Sequence, residues 1–180
     1  MNHRRTLAAR AGGIDISFNL VDIRDIQGTR LAQMAPADVE QPVLTAVRMM
    51  FLTARAAARH MLKQRSGVIL TFGGYGDPVP GVGGLQVAFG AVEALRRALA
   101  CELGPHGIRV LTLQTGGIPE AIPPDFEGGA DIAATLEAKT MLGRAATLAD
   151  VGNVAVFAAS DLAAAMTGTA INLTCGSVVS

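Results

Sequence analysis

The stretch SGVILTFGGYGDPVPGVGGLQVAFGAVEALRRALACELGPHGIRVLTLQT, residues 66–115, decides the fold. Gly67 opens a short apolar run, VILTF at 68–72, that reads as a strand. A glycine- and proline-rich loop follows from Gly73 to Gly84. From there Leu85, Ala88, Val92, Leu95, Leu99 and Leu103 recur at helical steps, predicting a helix over 85–103. Gly104-Pro105-His106-Gly107 stops it, and IRVLTLQT at 108–115 reads as the next strand. Strand, long helix and strand in that order make a crossover unit, whose strands run parallel and whose connection is right-handed.

The pattern extends in both directions. Ile14 to Val21 (IDISFNLV) alternates poorly and suits a strand buried on both faces. Before it, residues 4–11 look helical and end at Gly12-Gly13. Residues 22–36 read as a loop, and residues 37–41 as a first helical turn or two. Pro42 has no amide proton and is expected to restart or kink the helix. Val43 to Lys63 then reads as a long helix carrying Leu44, Val47, Phe51 and Leu52 at three- and four-residue steps. Ala54, Ala56, Ala57 and Ala58 permit close packing, and Arg48, Arg55 and Arg59 fall on a solvated side. After residue 115, Gly116-Gly117 opens a loop with three prolines. A helix is expected over 130–140 and another within 147–160, with Thr147 as its cap and Asp150 three residues on. TAINLT at 169–174 is the last strand. The order β-α-β-α-β-α-β predicts one α/β domain over 1–180, a parallel sheet of about four strands flanked by helices. Ligands on such sheets bind beyond the carboxyl ends of the strands. That places Asn19, Gly73-Gly74 and Gly116-Gly117-Ile118 on one rim.

Composition excludes several classes. The 180 residues suit one domain. Half are apolar and 17% charged, which rules out wholesale disorder. Fifteen basic residues, all Arg except Lys63 and Lys139, balance fifteen acidic ones. With no net charge, and with Tyr75 as its one tyrosine and no tryptophan, the chain lacks the usual footprint of a nucleic-acid binder. Cys101 and Cys175 make no disulfide framework, and Cys101 is expected in the core. No apolar run is long enough to span a membrane and no secretory leader is evident, so a cytoplasmic location is expected. Asp15, Asp22 and Asp25 cluster near the first strand, but Ca²⁺ wants six to eight oxygens in a suited loop, so they read as solvated or capping groups and no metal is expected. His60 and His106 read as surface or capping residues. Asp77 and Glu120, at the rim, make a weak carboxylate pair.

Five segments, in order, resemble the later part of the short-chain dehydrogenase/reductase family. IDISFN (14–19) resembles its strand ending in an Asn-Asn-Ala-Gly motif. GVILTFGG (67–74) resembles the strand ending at its catalytic serine. ALRRALACELGPHGIRV (94–110) resembles the helix and strand after its active-site tyrosine. TGGIPE (115–120) resembles its Pro-Gly loop beside the nicotinamide, and residues 142–176 resemble its closing helix and strand. The resemblance implies a Rossmann-like sheet, an oxidoreductase activity and NAD(P). It places residual cofactor-binding positions at Asn19, Gly73, Gly74, Gly116, Gly117 and Ile118.

Two departures qualify that expectation. The family opens with a βαβ unit carrying a glycine-rich dinucleotide loop, and these 180 residues contain none. GVGG at 81–84 reads as an ordinary loop. The family's catalytic positions also carry other residues here. Its serine falls on Gly74, its tyrosine and lysine on Leu85 and Phe89, and its helical asparagine near Ala46. The Pro-Gly loop's proline is Thr115, and the threonine that usually follows is Glu120. Reduction of a carbonyl by hydride needs a proton donor for the developing alkoxide, and leucine, phenylalanine and glycine offer none. No catalytic residue is therefore assigned. Three functions are expected to compete: an atypical NAD(P)-dependent oxidoreductase with little or no hydride transfer by this chain alone, a non-catalytic scaffold or partner subunit, and a small-molecule binding module at the rim. An edge strand at 14–19 would expose unpaired backbone groups. A homo-oligomer built through helices 43–63 and 85–103 is expected.

Overall fold

The structure, a computed structural model, describes residues 11–74 and 77–179. The helix expected over 4–11 and the side chain of Tyr75 lie outside the described residues, save Ala11 at the helix's end. Four parallel strands form one sheet: β1 (Ile16–Asn19), β2 (Gly67–Gly74), β3 (Ile108–Thr115) and β4 (Ala170–Asn172), side by side in that order. Helices α1 (Pro36–Gln64) and α2 (Gly83–Leu103) fill the first two crossovers, and α3 (Gly129–Ala138) and α4 (Leu148–Ala159) the third. The truncated Rossmann-like α/β architecture expected from the sequence is the one observed.

The two central strands explain the layering. Side chains alternate across a strand, so Ile69 and Val110 face α1 and α2, where they meet Ala54, Ala57, Met61, Ala100 and Leu103. Val68, Leu70, Leu111 and Leu113 face the other way and meet Val151 and Ala158 of α4. A third cluster, Ile23, Ala46, Met50, Ala88 and Val92, closes the α1–α2 layer toward the carboxyl ends of the strands. Among the described residues β1 pairs only with β2, and β4 only with β3.

Three expectations are corrected. Pro42 does not restart its helix, because α1 runs unbroken from Pro36 to Gln64. The proline ring is fully buried, and that packing offsets the hydrogen bond its nitrogen cannot donate. The large apolar residues expected to anchor α1 point outward. Leu44, Phe51 and Leu52 are exposed, while Ala46 and Met50 pack against α2 and Ala54, Ala57, Ala58 and Met61 against the sheet and α2. A helix lying close on a sheet accommodates alanines there and leaves bulkier neighbours on its far side. Cys101 is exposed rather than in the core; its neighbour Ala100 takes the inward position. In α2 the inward row is Gly84, Ala88, Val92, Arg96, Ala100 and Leu103, with Leu95 and Leu99 half-buried.

The sequence signals at helix ends hold. Thr147 caps α4: its hydroxyl accepts the Asp150 amide proton at 3.0 Å, and its own amide donates to Asp150 Oδ2 at 3.0 Å. Arg144 Nη1 donates to the same carboxylate oxygen at 2.6 Å. At the far end Arg109 of β3 donates to Ala158 O at 2.7 Å and Ser160 O at 3.0 Å, tying the exit of α4 to the sheet. Gly107, at a φ of 76°, makes the turn into β3, where a Cβ would lie 2.5 Å from Arg65 O.

Candidate functional site

The rim residues sit at the carboxyl ends of β1, β2 and β3, though not at one level. Asn19 pairs with Thr71, whereas Gly74 pairs with Thr115. β2 therefore runs three residues beyond β1, about 10 Å at strand rise. Gly73 and Gly74 stand beside Thr115 and the Gly116-Gly117 turn, while Asn19 lies deeper, beneath the ends of α1 and α2.

That deeper position is one end of a polar rung across the sheet. Asn19, Thr71 and Thr112 are register neighbours on β1, β2 and β3, on the face covered by α1 and α2. All three are buried. The hydroxyls of Thr71 and Thr112 lie 2.7 Å apart, and Thr112 donates to Glu93 Oε1 of α2. Having given its one proton to a carboxylate, Thr112 accepts from Thr71. Thr71 also lies 3.3 Å from Leu111 O. Glu93 Oε2 accepts from Arg96 Nε at 3.1 Å and Nη2 at 2.9 Å. Arg96 is only 5% exposed. At each end of this chain a buried donor, Asn19 Nδ2 and Arg96 Nη1, has no partner among the described residues. Sequence reasoning missed Thr71, Thr112, Glu93 and Arg96. A signal existed for Arg96: it falls four residues after Val92 and four before Ala100, a charge in the row that faces the core.

Asn19 lines a cleft of about 220 Å³. Its walls are Val21, Ile23, Ala46, Met50, Phe72, Leu85, Phe89 and Val92, with Asp22 and Asp25 also lining it. The structure thus brings together Ala46, Leu85 and Phe89, three positions where the sequence resemblance expects catalytic groups. None of them carries a dissociable proton. Gly74 stands against the same ring: a Cβ built there would lie 2.7 Å from Phe89 Cε2 and 2.9 Å from Cδ2. Phe89 therefore occupies the space that a side chain at 74 would need.

The remaining predicted residues are committed to packing. Ser177 Oγ lies 2.5 Å from where a Gly116 Cβ would be. Leu136 of α3 lies 2.8 Å from that of Gly117, whose φ of 123° suits glycine. Ile118 packs into the cluster beneath α4. Glu120 Oε2 accepts the Leu148 amide proton at 2.8 Å, so it serves the start of α4. Asp22 accepts from the Arg24 amide, Asp25 from Gln27 Nε2 and Asp15 from Gln64 Nε2. Among the described residues no three His, Cys, Asp or Glu side chains form a group suited to a metal. No described helix is long and apolar enough to cross a membrane.

Comparison with known proteins agrees with this architecture. The family model described as enoyl-(acyl carrier protein) reductase matches residues 2–177. The enoyl-[acyl-carrier-protein] reductase [NADH] of Haemophilus influenzae is 31% identical over 127 residues, covering 70% of this chain and 48% of that protein. Secoisolariciresinol dehydrogenase of Forsythia intermedia is 34% identical over 167 residues, covering 87% of this chain and 59% of that protein. The chain thus spans about half to three-fifths of the length of these relatives. Among solved structures, a putative short-chain alcohol dehydrogenase from Sinorhizobium meliloti superposes with a TM-score of 0.83 at 28% identity, over 98% of this chain and 70% of that one. A sheet of this order, helices on both faces and a family match along nearly the whole sequence lead to one assignment: the chain belongs to the short-chain dehydrogenase/reductase family, in the group described as enoyl-(acyl carrier protein) reductase.

Proposed function

We propose that this chain is an oxidoreductase-family protein with little or no NAD(P)-dependent hydride transfer of its own. One observation carries the reading: Ala46, Leu85 and Phe89 converge on a single apolar cleft, and Phe89 fills the space beside Gly74. Hydride delivery to a carbonyl leaves alkoxide character on oxygen, and a positioned acid typically contributes about 10²–10⁴-fold by protonating it. Asn19 Nδ2 is buried, and an amide does not give up its proton near neutral pH. Asp22 and Asp25 carry negative charge there and repel a developing anion.

The residues present do not fit a dinucleotide well. The cleft's 220 Å³ falls below the ~300–1,000 Å³ usual for drug-sized ligands. The Gly116-Gly117 turn is closely backed by Ser177 and Leu136. The outward row of α1, with Leu44, Phe51 and Leu52 exposed, together with exposed Val87 on α2, favours a homo-oligomer formed through helices 43–63 and 85–103.

Titration of the purified chain with NADH and NADPH, read by cofactor fluorescence, tests the first part. The expected result is no saturable binding in the low micromolar range and no carbonyl-dependent oxidation. Low-micromolar binding with turnover overturns it. Light scattering tests the second: a dimer or larger species is expected, and a stable monomer at micromolar concentration refutes it.

A further inference from the structure

We infer that the outward row of α1, Arg48, Arg55, Arg59 and Lys63, is a docking surface for an anionic phospholipid bilayer, against which the helix lies flat. This goes beyond the proposed loss of hydride transfer and beyond the homo-oligomer, because it assigns a partner to charged side chains that neither reading uses.

Residues 41–76 contain Arg48, Arg55, Arg59, Lys63 and Arg65 and no Asp or Glu. A chain with no net charge thus gathers five of its fifteen Lys and Arg in one acid-free run. The four side chains of the row are exposed. At 3.6 residues per turn they span about 80° of the helix circumference, and from Arg48 to Lys63 they run about 22 Å along it. Among the described residues none of them enters an ion pair; the two pairs present are Arg96–Glu93 and Arg144–Asp150. The neighbouring helix does not neutralise them. Its Glu93 is committed to Arg96 and Thr112, and its other acid, Glu102, is matched in number by exposed Arg97.

The residue types select the partner. Three of the four cations are Arg, whose planar guanidinium grips phosphate through paired hydrogen bonds. Leu52 falls inside the row and Met49 on one flank, and both are exposed. Apolar side chains among cations suit a bilayer, where they enter the boundary between headgroups and acyl chains. Against a nucleic acid the same side chains would face a charged backbone. Leu44 and Phe51 lie on the other flank. Two copies packed row against row would set cation against cation, so a contact between copies is confined to that flank and leaves the row open. Each Lys or Arg close to an anionic bilayer strengthens binding about fivefold, so four give an affinity on the order of 10³ M⁻¹ in accessible lipid. Leu52 and Met49 add to it.

The test mixes the full chain with sucrose-loaded vesicles and sediments them. With vesicles of phosphatidylglycerol and phosphatidylcholine at about 0.1 M salt, half of the chain is expected to sediment at about 0.1–1 mM accessible lipid. With phosphatidylcholine alone, no sedimentation above background is expected. Raising the salt to about 0.5 M shortens the screening length to about 4 Å and is expected to weaken binding at least about tenfold. Arg55→Gln combined with Arg59→Gln is expected to weaken it about 25-fold, and Arg55→Lys combined with Arg59→Lys only about two- to threefold. Both positions are exposed, so these variants are expected to melt with the unaltered chain. No sedimentation with the anionic vesicles overturns the proposal. So does equal binding to neutral vesicles, an unchanged affinity in the double Gln variant, or tighter binding to a single-stranded RNA oligomer than to the vesicles. Light scattering on the double Gln variant reads the oligomer separately. Unchanged mass with lost vesicle binding is expected; loss of both places the row inside the contact between copies and overturns the assignment. A monomer in both samples counts against the oligomer alone.

Discussion

Restoring a serine at position 74 is the obvious first step toward rebuilding a hydride-transfer site, and the structure opposes it. A Cβ on Gly74 sits 2.7 Å from Phe89 Cε2, roughly 0.8 Å inside the ~3.5 Å at which carbon atoms pack best. The ring edge must therefore retreat, and it is packed in the wall shared with Leu85 and Val92. Overpacking of this kind costs about 1–3 kcal/mol. Gly74→Ser is expected to lower stability by that amount in urea denaturation. The same substitution made in a Phe89→Ala background meets open space and is expected to cost under about 0.5 kcal/mol relative to Phe89→Ala alone, as surface-like changes do. The difference, a coupling of about 1–2 kcal/mol, is what a double-mutant cycle reads for residues in contact. Neither variant is expected to gain dehydrogenase activity, since position 85 still lacks an acid. A Gly74→Ser penalty equal in both backgrounds, or absent in the first, would refute the claim that Phe89 and Gly74 share one space.

Other perturbations follow from the same contacts. Arg96→Met leaves the half-buried Glu93 without its cation and is expected to cost about 1–3 kcal/mol; adding Glu93→Gln to Arg96→Met is expected to recover much of that in urea melts. Asp150 is held well below the ordinary carboxylate range, first by Arg144 and then by the Thr147 amide and hydroxyl. Its folded-state value is depressed, so its contribution is complete above the unfolded value of about 4 and is lost as pH falls through the lower folded value. Asp150→Asn is expected to be less stable at neutral pH and to show a flatter decline in Tm below pH 4 than the unaltered chain; parallel curves refute this. Arg109→Ala removes two donors from the exit of α4 and is expected to cost about 2 kcal/mol, with faster amide exchange over residues 155–160.

Where the chain is locally consistent, its fold could be read directly. IRVLTLQT has an abrupt glycine turn before it and two glycines after it, and β3 occupies those eight residues. Thr147 and Asp150 form the capping box their spacing predicts. The inward face of α1 could not be read, for a physical reason. Periodicity reveals a stripe, and the largest apolar residues mark the most conspicuous one, yet Leu44, Phe51 and Leu52 lie on the side away from the sheet. Contact distance, not hydrophobicity, selects Ala54 and Ala57 for the interior. Pro42 misled in the same way, because a missing hydrogen bond is visible in sequence and the burial that offsets it is not.

The site was legible one position at a time and illegible as a unit. Aligned against the family, Gly74, Leu85, Phe89 and Ala46 read as four separate losses, each apparently reversible by one substitution. In the fold they depend on one another. Glycine at 74 makes room for the phenylalanine ring at 89, and that ring together with Leu85, Ala46 and Asn19 lines one cleft. The polar rung beneath adds a second dependence, because Thr71 is engaged with Thr112, which is engaged by Glu93, which Arg96 holds in place. An acid introduced at 85 or 89 would face Asp22 and Asp25 across the same cleft, and like charges brought together there are more costly than the leucine or phenylalanine replaced. Recovering proton transfer at this site therefore requires concerted change at 74, 85 and 89, with each single step downhill in stability. The present residues describe a packed solution of their own.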